Sequence, residues 1–371
     1  MTSDAKRATP NAQPVVWLAV SGHGYGHAVR SAQVAQALLQ LGARVIVRTE
    51  APRWLFPEGV EWLLPSERPL DIGVAQHDGL EIDIDETRRR WGAFMRDFHE
   101  HAQAEAGLLT EQRVDVVVGD IPPLAFAAAQ RANVPSVAVG NFTWDWIYAA
   151  WPDFEDVIGC VRSGYAAADL LLRLPFHADS AQAFESITCV EDVPLIARMA
   201  RRNRREVRAE LGLDDAMRVA LLSFGGFAAY GLDLAAFGRW QDYVFVATPP
   251  LQTSVTQVPA NVRVLNETPA DYVSLIAACD VVITKPGYGI VADCLANRVA
   301  MLFTDRGPFR EYEVLAAALP QLGPAMYIPR EELIRGGVGP YLERLAGLKT
   351  PWTNQPMNGA EVVARRVLEV T

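Results

Sequence analysis

Residues 15–27 read VVWLAVSGHGYGH, a six-residue apolar run followed directly by a turn with three glycines and two histidines. A short apolar run rich in β-branched residues is typical of a buried strand in a parallel sheet. The three glycines allow the backbone to turn sharply and to approach a ligand closely. In an open α/β sheet such a turn lies at the carboxyl end of a strand, where ligands bind. This stretch therefore predicts a parallel α/β sheet with a candidate site directly after its first strand.

The alternation of strands and helices continues outward from this stretch and occurs twice. Short apolar runs predict strands, and amphipathic runs between them predict helices, which is the pattern of a parallel sheet covered by helices. The predicted strands are 15–20, 43–49, 114–118 and 134–139, then 219–224, 243–247, 262–265, 281–284 and 300–303. The predicted helices are 29–41, 122–132, 198–211, 289–295 and 358–369. We therefore predict two Rossmann-like halves that join near residues 190–217.

Composition excludes several classes of protein. The 371 residues suffice for two to three domains, and a net charge of −10 argues against a nucleic-acid-binding surface. Four cysteines without a CxxC pair predict a reduced, cytoplasmic protein without structural zinc. The chain holds no 18-residue apolar run, so we expect no stable membrane insertion. The P-loop signature and the GxSxG elbow are also absent from the sequence.

The turn at residues 21–27 supplies two candidate catalytic residues, His23 and His27. Histidine titrates near neutral pH, so two imidazoles in a ligand-binding turn suit proton transfer. The glycine spacing matches a dinucleotide-binding GxGxxG only loosely, which leaves that site as an alternative. A second alternative is a structural turn whose histidines cap the next helix. Asp120, which follows another predicted strand, is a further candidate base.

The segment T-K-P-G-Y-G, residues 284–289, stands between a predicted strand and a predicted helix. A helix amino terminus with glycines presents unpaired N–H groups to an anion, and Lys285 is one of only three lysines in the chain. We expect a nucleotide diphosphate to bind here, and the alternative is a plain strand-to-helix turn. Asp293, one turn further along the helix, is placed to accept hydrogen bonds from ribose hydroxyls.

Three weaker segments complete the predicted site. Phe224, Gly225 and Gly226 end a strand of the second half and can approach the same phosphates. The aromatic segment N-F-T-W-D-W-I-Y, residues 141–148, offers rings that stack on sugars and a candidate base, Asp145, although buried packing would also explain it. Arg310 and Glu311 follow the strand at 300–303, where Glu311 could hold sugar hydroxyls.

One segment suggests a metal site that we do not predict. Asp83-Ile84-Asp85 matches the DxD motif of metal-dependent sugar transferases. The acids at 81, 83 and 85 alternate with isoleucines, however, and this alternation is also typical of a half-exposed strand. We therefore predict neither a metal nor a bound cofactor.

Six segments of the chain carry a family resemblance: S-G-H-G-Y-G-H-A-V-R, N-F-T-W-D-W-I-Y, R-R-E-V-R-A-E-L-G-L, F-G-G, K-P-G-Y-G and N-G-A-E-V-V-A-R. They extend from Ser21 to Arg365 and resemble the amino-terminal glycosyltransferase-like region of plant L-arabinokinases. The more distant resemblance is to the peptidoglycan N-acetylglucosaminyltransferases. Those kinases carry a second, sugar-kinase region that has no counterpart here, so no kinase activity is implied. The distant relatives often have a glutamate where this chain has Asp293, which bears on the contact with the donor ribose.

The resemblance implies a GT-B fold, in which two Rossmann-like domains face each other across a cleft. Residues 1–195 would form an acceptor domain, residues 196–355 a donor domain for a nucleotide sugar such as a UDP-sugar, and residues 356–371 a helix that crosses back to the first domain. The expected partners are this donor and a small-molecule or glycan acceptor. The expected activity is metal-independent transfer of a hexosyl or pentosyl group. The alternatives are a nucleotide-sugar 2-epimerase and a non-catalytic nucleotide-sugar-binding module.

The complete predicted site draws on every segment named above. The candidate catalytic residues are His27, His23, Asp120 and Asp145. The candidate substrate-binding residues are Gly24, Tyr25, Gly26, Arg30, Asn141, Trp144, Phe224, Gly225, Gly226, Lys285, Pro286, Gly287, Tyr288, Gly289, Asp293, Arg310 and Glu311.

Overall fold

The structure is a computed structural model that describes residues 13–63, 68–78, 80–178, 181–224, 231–249, 258–267, 269 and 271–371, with only the backbone at 181 and 182. Its first half alternates strands and helices as the sequence predicts. In chain order these are β1 (Val15–Val20), α1 (Gly24–Gln40), β2 (Arg44–Arg48), β3 (Glu61–Trp62), β4 (Ala75–Gln76), β5 (Ile82–Asp83), α2 (Ile84–Arg96), α3 (Phe98–Glu111), β6 (Val116–Asp120), α4 (Pro123–Ala132), β7 (Ser136–Gly140), α5 (Trp144–Tyr148), α6 (Glu155–Tyr165), β8 (Leu170–Arg173) and β9 (Val190–Asp192).

The second half repeats this alternation. In chain order it contains α7 (Arg204–Glu210), β10 (Arg218–Ser223), α8 (Leu234–Phe237), β11 (Tyr243–Ala247), β12 (Val262–Val264), α9 (Tyr272–Ala278), β13 (Val281–Thr284), α10 (Tyr288–Asn297), β14 (Ala300–Phe303), α11 (Arg310–Leu322), β15 (Ala325–Tyr327), α12 (Arg330–Ile334) and α13 (Gly339–Ala346). The last helix of the chain is α14 (Gly359–Leu368).

Each half is built on one parallel sheet. The first sheet has the order β3-β2-β1-β6-β7-β8-β9, and the second has the order β12-β11-β10-β13-β14-β15. Every residue of β1 and of β13 is buried, because helices cover both faces of each sheet. In each sheet the order reverses beside the first strand, and ligands of open α/β sheets bind at such a point. The turns after β1, β6 and β13 therefore lie where a site is expected.

Helix α14 returns to the first half, which confirms that expectation. The Gly359 N–H donates to the Leu195 carbonyl at 3.0 Å, and the Leu195 N–H donates to the Pro356 carbonyl at 3.1 Å. Val363 and Val367 are fully buried against the α1 side of the first sheet. The helix thus belongs with the first sheet although it follows the second in sequence.

Helix α1 begins at Gly24, five residues before the predicted start at 29. The observed turn is shorter than the predicted one. Gly24, with φ +67°, makes the bend that follows β1, so the helix can begin at this residue. His27 and Arg30 consequently lie on the first two turns of a helix. His23 occupies the N-cap position, but its side chain makes no capping hydrogen bond.

Local structure differs from the sequence-based expectation at two further places. The predicted helix at 198–211 starts only at Arg204, because the Asn203 side chain caps it by accepting the Arg205 N–H at 2.8 Å. The alternation at 81–85, also typical of a half-exposed strand, forms strand only over β5, because the Asp83 side chain accepts the Glu86 N–H at 2.8 Å and caps α2. Strands β3, β8, β9 and β15 were not predicted from the sequence.

The β4–β5 hairpin connects the two halves. The two strands pair antiparallel, and Leu80 between them is 2% exposed within the apolar core of the second half. Arg330 Nη1 donates to the Leu80 carbonyl at 3.4 Å. A segment of the first half is therefore anchored in the second and crosses the gap between the two sheets.

Candidate functional site

The two glycine-rich turns face each other. Gly26 on α1 and Gly289 on α10 are so close that a Cβ atom on Gly289 would lie 3.6 Å from the Gly26 Cα. Beside this contact is a cavity of about 220 Å³ that residues of both halves line. The two turns that the sequence singled out thus form one site between the halves.

His27, which lines this cavity, forms a buried pair with Asp120, which lies behind it and does not line the cavity. His27 Nδ1 lies 2.8 Å from Asp120 Oδ1, and the two residues come from α1 and from the end of β6. An ionised carboxylate only accepts hydrogen bonds. Arg30 Nη2 also lies 3.0 Å from Nδ1, but it donates to Asp120 Oδ1 at the shorter distance of 2.5 Å, so we assign the proton of His27 to Nδ1. The Nε2 atom then carries the lone pair, and it makes no hydrogen bond within the described residues. His27 lines the cavity, where Nε2 is suited to accept a proton.

Arg30 and Ser31 hold Asp120 in its ionised form. Arg30 Nε and Ser31 Oγ each donate to Asp120 Oδ2 at 2.7 Å, and Arg30 Nη2 donates to Oδ1 at 2.5 Å. Burial raises the pKa of Asp120, whereas the charges of Arg30 and then His27 lower it. The lowering effects together outweigh burial, so the pKa of Asp120 lies below its ordinary value. The carboxylate is therefore available to orient the imidazole and to stabilise its charged form.

His23 has a different environment from His27. Its Nδ1 accepts the Val74 N–H at 3.2 Å, and the Gln76 side-chain amide lies 3.4 Å from its Nε2. Burial, followed by the positive charges of Arg306, His27 and Lys285, lowers the pKa of His23 well below its ordinary value. His23 is thus a neutral ring whose Nδ1 lone pair is already used, which does not suit a general base.

Asn141 connects the halves within the site. Its Oδ1 accepts from Arg30 Nη1 at 2.7 Å, and its Nδ2 donates to Glu311 Oε1 at 2.9 Å. Asn141 and Glu311 are both buried. Arg30 also lies over the ring of Tyr288, 5.1 Å from its centroid. A continuous polar path therefore runs from Asp120 in the first half to Glu311 in the second.

Two buried cations line the second-half wall of the cavity. Burial and the neighbouring charge of Arg306 lower the pKa of Lys285 well below its ordinary value. The pKa of Arg306 is also lowered by burial, and Glu311 only partly offsets this. Arg306 Nη1 lies 3.4 Å from Glu311 Oε2, and its buried Nε has no hydrogen-bond partner among the described residues. Arg306 is thus a buried positive charge that is incompletely paired within the described residues, which is costly and suited to receive an anion.

The segment 284–289 brings a helix terminus to these cations. Gly287 is the N-cap of α10, with no side-chain cap, and it lines the cavity together with Tyr288 and Gly289. Among the described residues, no heavy atom beyond those of Gly287 and its chain neighbours lies within 4 Å of where a Gly287 Cβ would stand, so a ligand can approach the backbone from that side. Pro286 lies between Lys285 and this turn. The arrangement combines a helix amino terminus with two positive side chains.

Asp293 lines the cavity, but its carboxylate is engaged by Arg198. The Arg198 N–H and Nε donate to its two oxygens at 3.0 Å, and Nη2 donates at 2.5 Å. Arg198 also lines the cavity. A ribose hydroxyl that binds Asp293 would therefore bind an Arg–carboxylate pair rather than a lone acid.

The remaining predicted residues differ in where they lie. Phe224 lines the cavity near Tyr272, whereas Gly225 and Gly226 lie outside the described residues. Gly24 and Tyr25 line it from the first half. The structure does not bring Trp144, Asp145 or Arg310 to the cavity lining.

These last three side chains take part in packing. Trp144 Nε1 donates to Asp71 at 2.8 Å, Arg162 Nε donates to Asp145 at 3.1 Å, and Arg310 Nη1 donates to the Trp146 carbonyl at 2.8 Å. Segment 141–148 contains the short buried helix α5 (Trp144–Tyr148), which the site residue Asn141 precedes. Its aromatic residues belong to the core of the first half.

Sequence reasoning missed several polar residues of the site, among them Arg198, which pairs with Asp293 on the cavity wall. Arg306 lies in the loop after β14, and the signal was its place at the carboxyl end of a strand. Ser31 follows Arg30 one residue later on α1, and no local pattern marks it. Asp71 accepts from Ser21 Oγ at 3.0 Å as well as from Trp144. Burial raises the pKa of Asp71 to about 6.

No helix within the described ranges has both the length and the apolar character needed to cross a bilayer.

Comparison with known sequences found two relatives, and no protein-family model matches the chain. The chain is 31% identical over 358 residues to the L-arabinokinase of Arabidopsis thaliana, and the match covers 94% of this chain. The chain spans 34% of that protein's length, about a third of it. It is 24% identical over 319 residues to an uncharacterized glycosyltransferase of Methanopyrus kandleri, covering 84% of this chain and 90% of the relative.

Comparison with solved structures found the same architecture at low sequence identity. Arabidopsis thaliana UGT89C1 in complex with quercetin superposes with a TM-score of 0.63 at 15% identity, over 96% of this chain and 94% of that one. Acinetobacter baumannii MurG superposes with a TM-score of 0.56 at 16% identity, over 96% and 99% of the two chains. These likenesses establish the fold of the chain.

Proposed function

The chain has the fold of the GT-B glycosyltransferases and is homologous to part of L-arabinokinase, and we propose that it is a glycosyltransferase. It would move a hexosyl or pentosyl group from a nucleotide-diphosphate sugar, such as a UDP-sugar, to a hydroxyl acceptor. The observation that carries the proposal is the cavity between the halves, which has a histidine–carboxylate pair on one wall and two buried cations on the other. UGT89C1 is also known in complex with UDP, which supports the choice of nucleotide.

We place the donor against residues 196–355. Its diphosphate would lie at the amino terminus of α10, between Lys285 and Arg306, where it neutralises two buried positive charges. The same groups stabilise the diphosphate as negative charge develops on it during departure, so the proposed reaction needs no metal. The nucleoside would extend along Phe224 and Tyr272, which line the cavity.

We place the acceptor against residues 1–195, with residues 356–371 packed on that half. His27 Nε2 accepts the proton of the acceptor hydroxyl while the hydroxyl oxygen forms a bond to the anomeric carbon. The bond from that carbon to the diphosphate oxygen breaks, and the electron pair leaves with the diphosphate. Asp120 fixes the imidazole and stabilises its positive charge. Direct displacement of this kind inverts the anomeric centre.

The proposal includes a cytoplasmic location, supported by four cysteines that form no disulfide.

The test is to incubate the purified chain with UDP-sugars and a panel of hydroxyl acceptors, and to detect glycosides by mass spectrometry. We expect a new glycoside and free UDP, with UDP bound in calorimetry. Conversion of the sugar without an acceptor would instead identify a 2-epimerase. Tight donor binding without any product would identify a non-catalytic binding module.

A further inference from the structure

The charged residues that line the cavity are distributed unevenly between its walls. The described residues of the second half contribute five of them: Arg198, Lys285, Asp293, Arg306 and Glu311. The described residues of the first half contribute Arg30 alone, and its guanidinium is taken up by Asp120 and Asn141. The first-half wall therefore has no described side-chain charge left to pair with an ionised ligand.

The first-half wall is instead apolar and aromatic at its rim. Trp54, in the short 3-10 turn after β2, lines the cavity although 57% of its surface is exposed. Its ring meets the ring of Tyr25 edge to face, with centroids 5.7 Å apart. Val29 and Leu55 line the same wall. A large exposed apolar ring on a cavity wall is suited to cover a ligand.

This wall lies beside the proposed base. Tyr25 and His27 are two residues apart in the first turn of α1, and both line the cavity. The edge-to-face contact with Tyr25 restricts the orientations of the Trp54 ring. A molecule on this ring would therefore lie in the same cavity as His27.

We infer that Trp54 and Tyr25 form the acceptor subsite and that it accepts an uncharged, ring-shaped hydroxyl compound. The inference rests on the proposed function and adds the chemical class of the acceptor. Aromatic faces stack on the C–H faces of sugar-like rings and need no charge to do so. A carboxylate or phosphate on the acceptor would lose its hydration without finding a cation on this wall.

The experiment uses two matched pairs of probes: the methyl β-glycosides of glucose and galactose, and those of glucuronic and galacturonic acid. Binding is measured by saturation-transfer NMR on the full chain, with and without UDP. We expect signals from at least one neutral glycoside and at least fivefold weaker signals from its charged partner. Trp54→Ala should weaken the neutral signal about fivefold to tenfold, and Trp54→Phe should retain part of it. Leu41→Ala is the control, since Leu41 is 46% exposed at the other end of α1.

Each outcome decides a separate claim. Equal signals from charged and neutral glycosides would overturn the inference about charge. A full signal from Trp54→Ala, or no signal from either neutral glycoside, would overturn the subsite. UDP calorimetry on the same variants reports folding of the donor side. If the wild-type protein does not bind UDP, the proposed function is contradicted. The glycoside signals then still decide whether the acceptor subsite exists.

Discussion

Asn141 in the first half donates to Glu311 in the second half across 2.9 Å, and both side chains are buried. The same amide accepts from Arg30, which in turn holds Asp120. This bond joins residues 170 positions apart, and it connects the proposed base to the proposed donor wall.

Asn141→Ala should therefore loosen the contact between the halves. The substitution leaves Glu311 Oε1 and Arg30 Nη1 each without this buried partner, which costs about 1–3 kcal/mol of the free energy of unfolding. Denaturant unfolding measures the loss. Asn354→Ala, an exposed asparagine in the segment before α14, is the comparison. A change under about 0.5 kcal/mol in Asn141→Ala would show that this bond does not hold the halves together.

His27→Ala should reduce the transfer rate by a factor of about 10² to 10⁴ and leave the Kd for UDP within about threefold of wild type. The reason is that His27 Nε2 takes the acceptor proton, whereas the diphosphate binds the opposite wall. Steady-state kinetics and calorimetry give the two quantities. His99→Ala, an exposed histidine on α3, should change neither. An equal loss of rate and UDP affinity in His27→Ala would point to a structural role for the turn.

Arg306→Ala and Lys285→Ala should each weaken UDP binding at least tenfold, because each removes one of the two buried charges that face the diphosphate. UDP raises the lowered pKa of Lys285 toward its ordinary value, so binding should take up a proton as the solution pH rises through the lowered pKa. Calorimetry in buffers of different ionisation enthalpy measures this uptake. Lys285→Arg should abolish it, and Arg365→Ala, exposed on α14, should leave both affinity and uptake intact. Unchanged UDP affinity in Arg306→Ala would exclude Arg306 from the donor site.

Asp71 should make the stability of the fold depend on pH between about 4 and 6. Burial raises its pKa to about 6 from 3.8, so the folded state binds the proton more tightly than the unfolded state. Its contribution to stability is full below pH 3.8 and is lost as the pH rises through 6. Relative to wild type, Asp71→Asn should therefore gain about 2–3 kcal/mol between pH 4 and 7.

Denaturant unfolding at several pH values checks this difference. Asp242→Asn, an exposed carboxylate, provides the matched control. A constant difference between Asp71→Asn and wild type across this range would contradict the prediction.

Much of the fold was predictable because it depends on local patterns. The apolar runs at 15–20 and 281–284 are strands, and the segments that follow them form the site. Helix boundaries were less predictable, because side chains such as Asn203 and Asp83 decide where a helix starts. The aromatic segment 141–148 was compatible both with a sugar-binding surface and with buried packing, and α5 buries residues 144–148, since aromatic side chains pack in a core as readily as they bind a sugar.

The sequence by itself determined two parallel α/β halves and the turns at their strand ends, because strand periodicity and glycine placement act over a few residues. Only the tertiary structure decided which side chains meet. His27 pairs with Asp120 across 93 positions in the sequence. Arg306 and Lys285 line the same cavity wall, and His23 Nδ1 accepts a hydrogen bond from the Val74 N–H, just before β4. These pairings depend on strand order and on the packing of one half against the other, which no local pattern encodes.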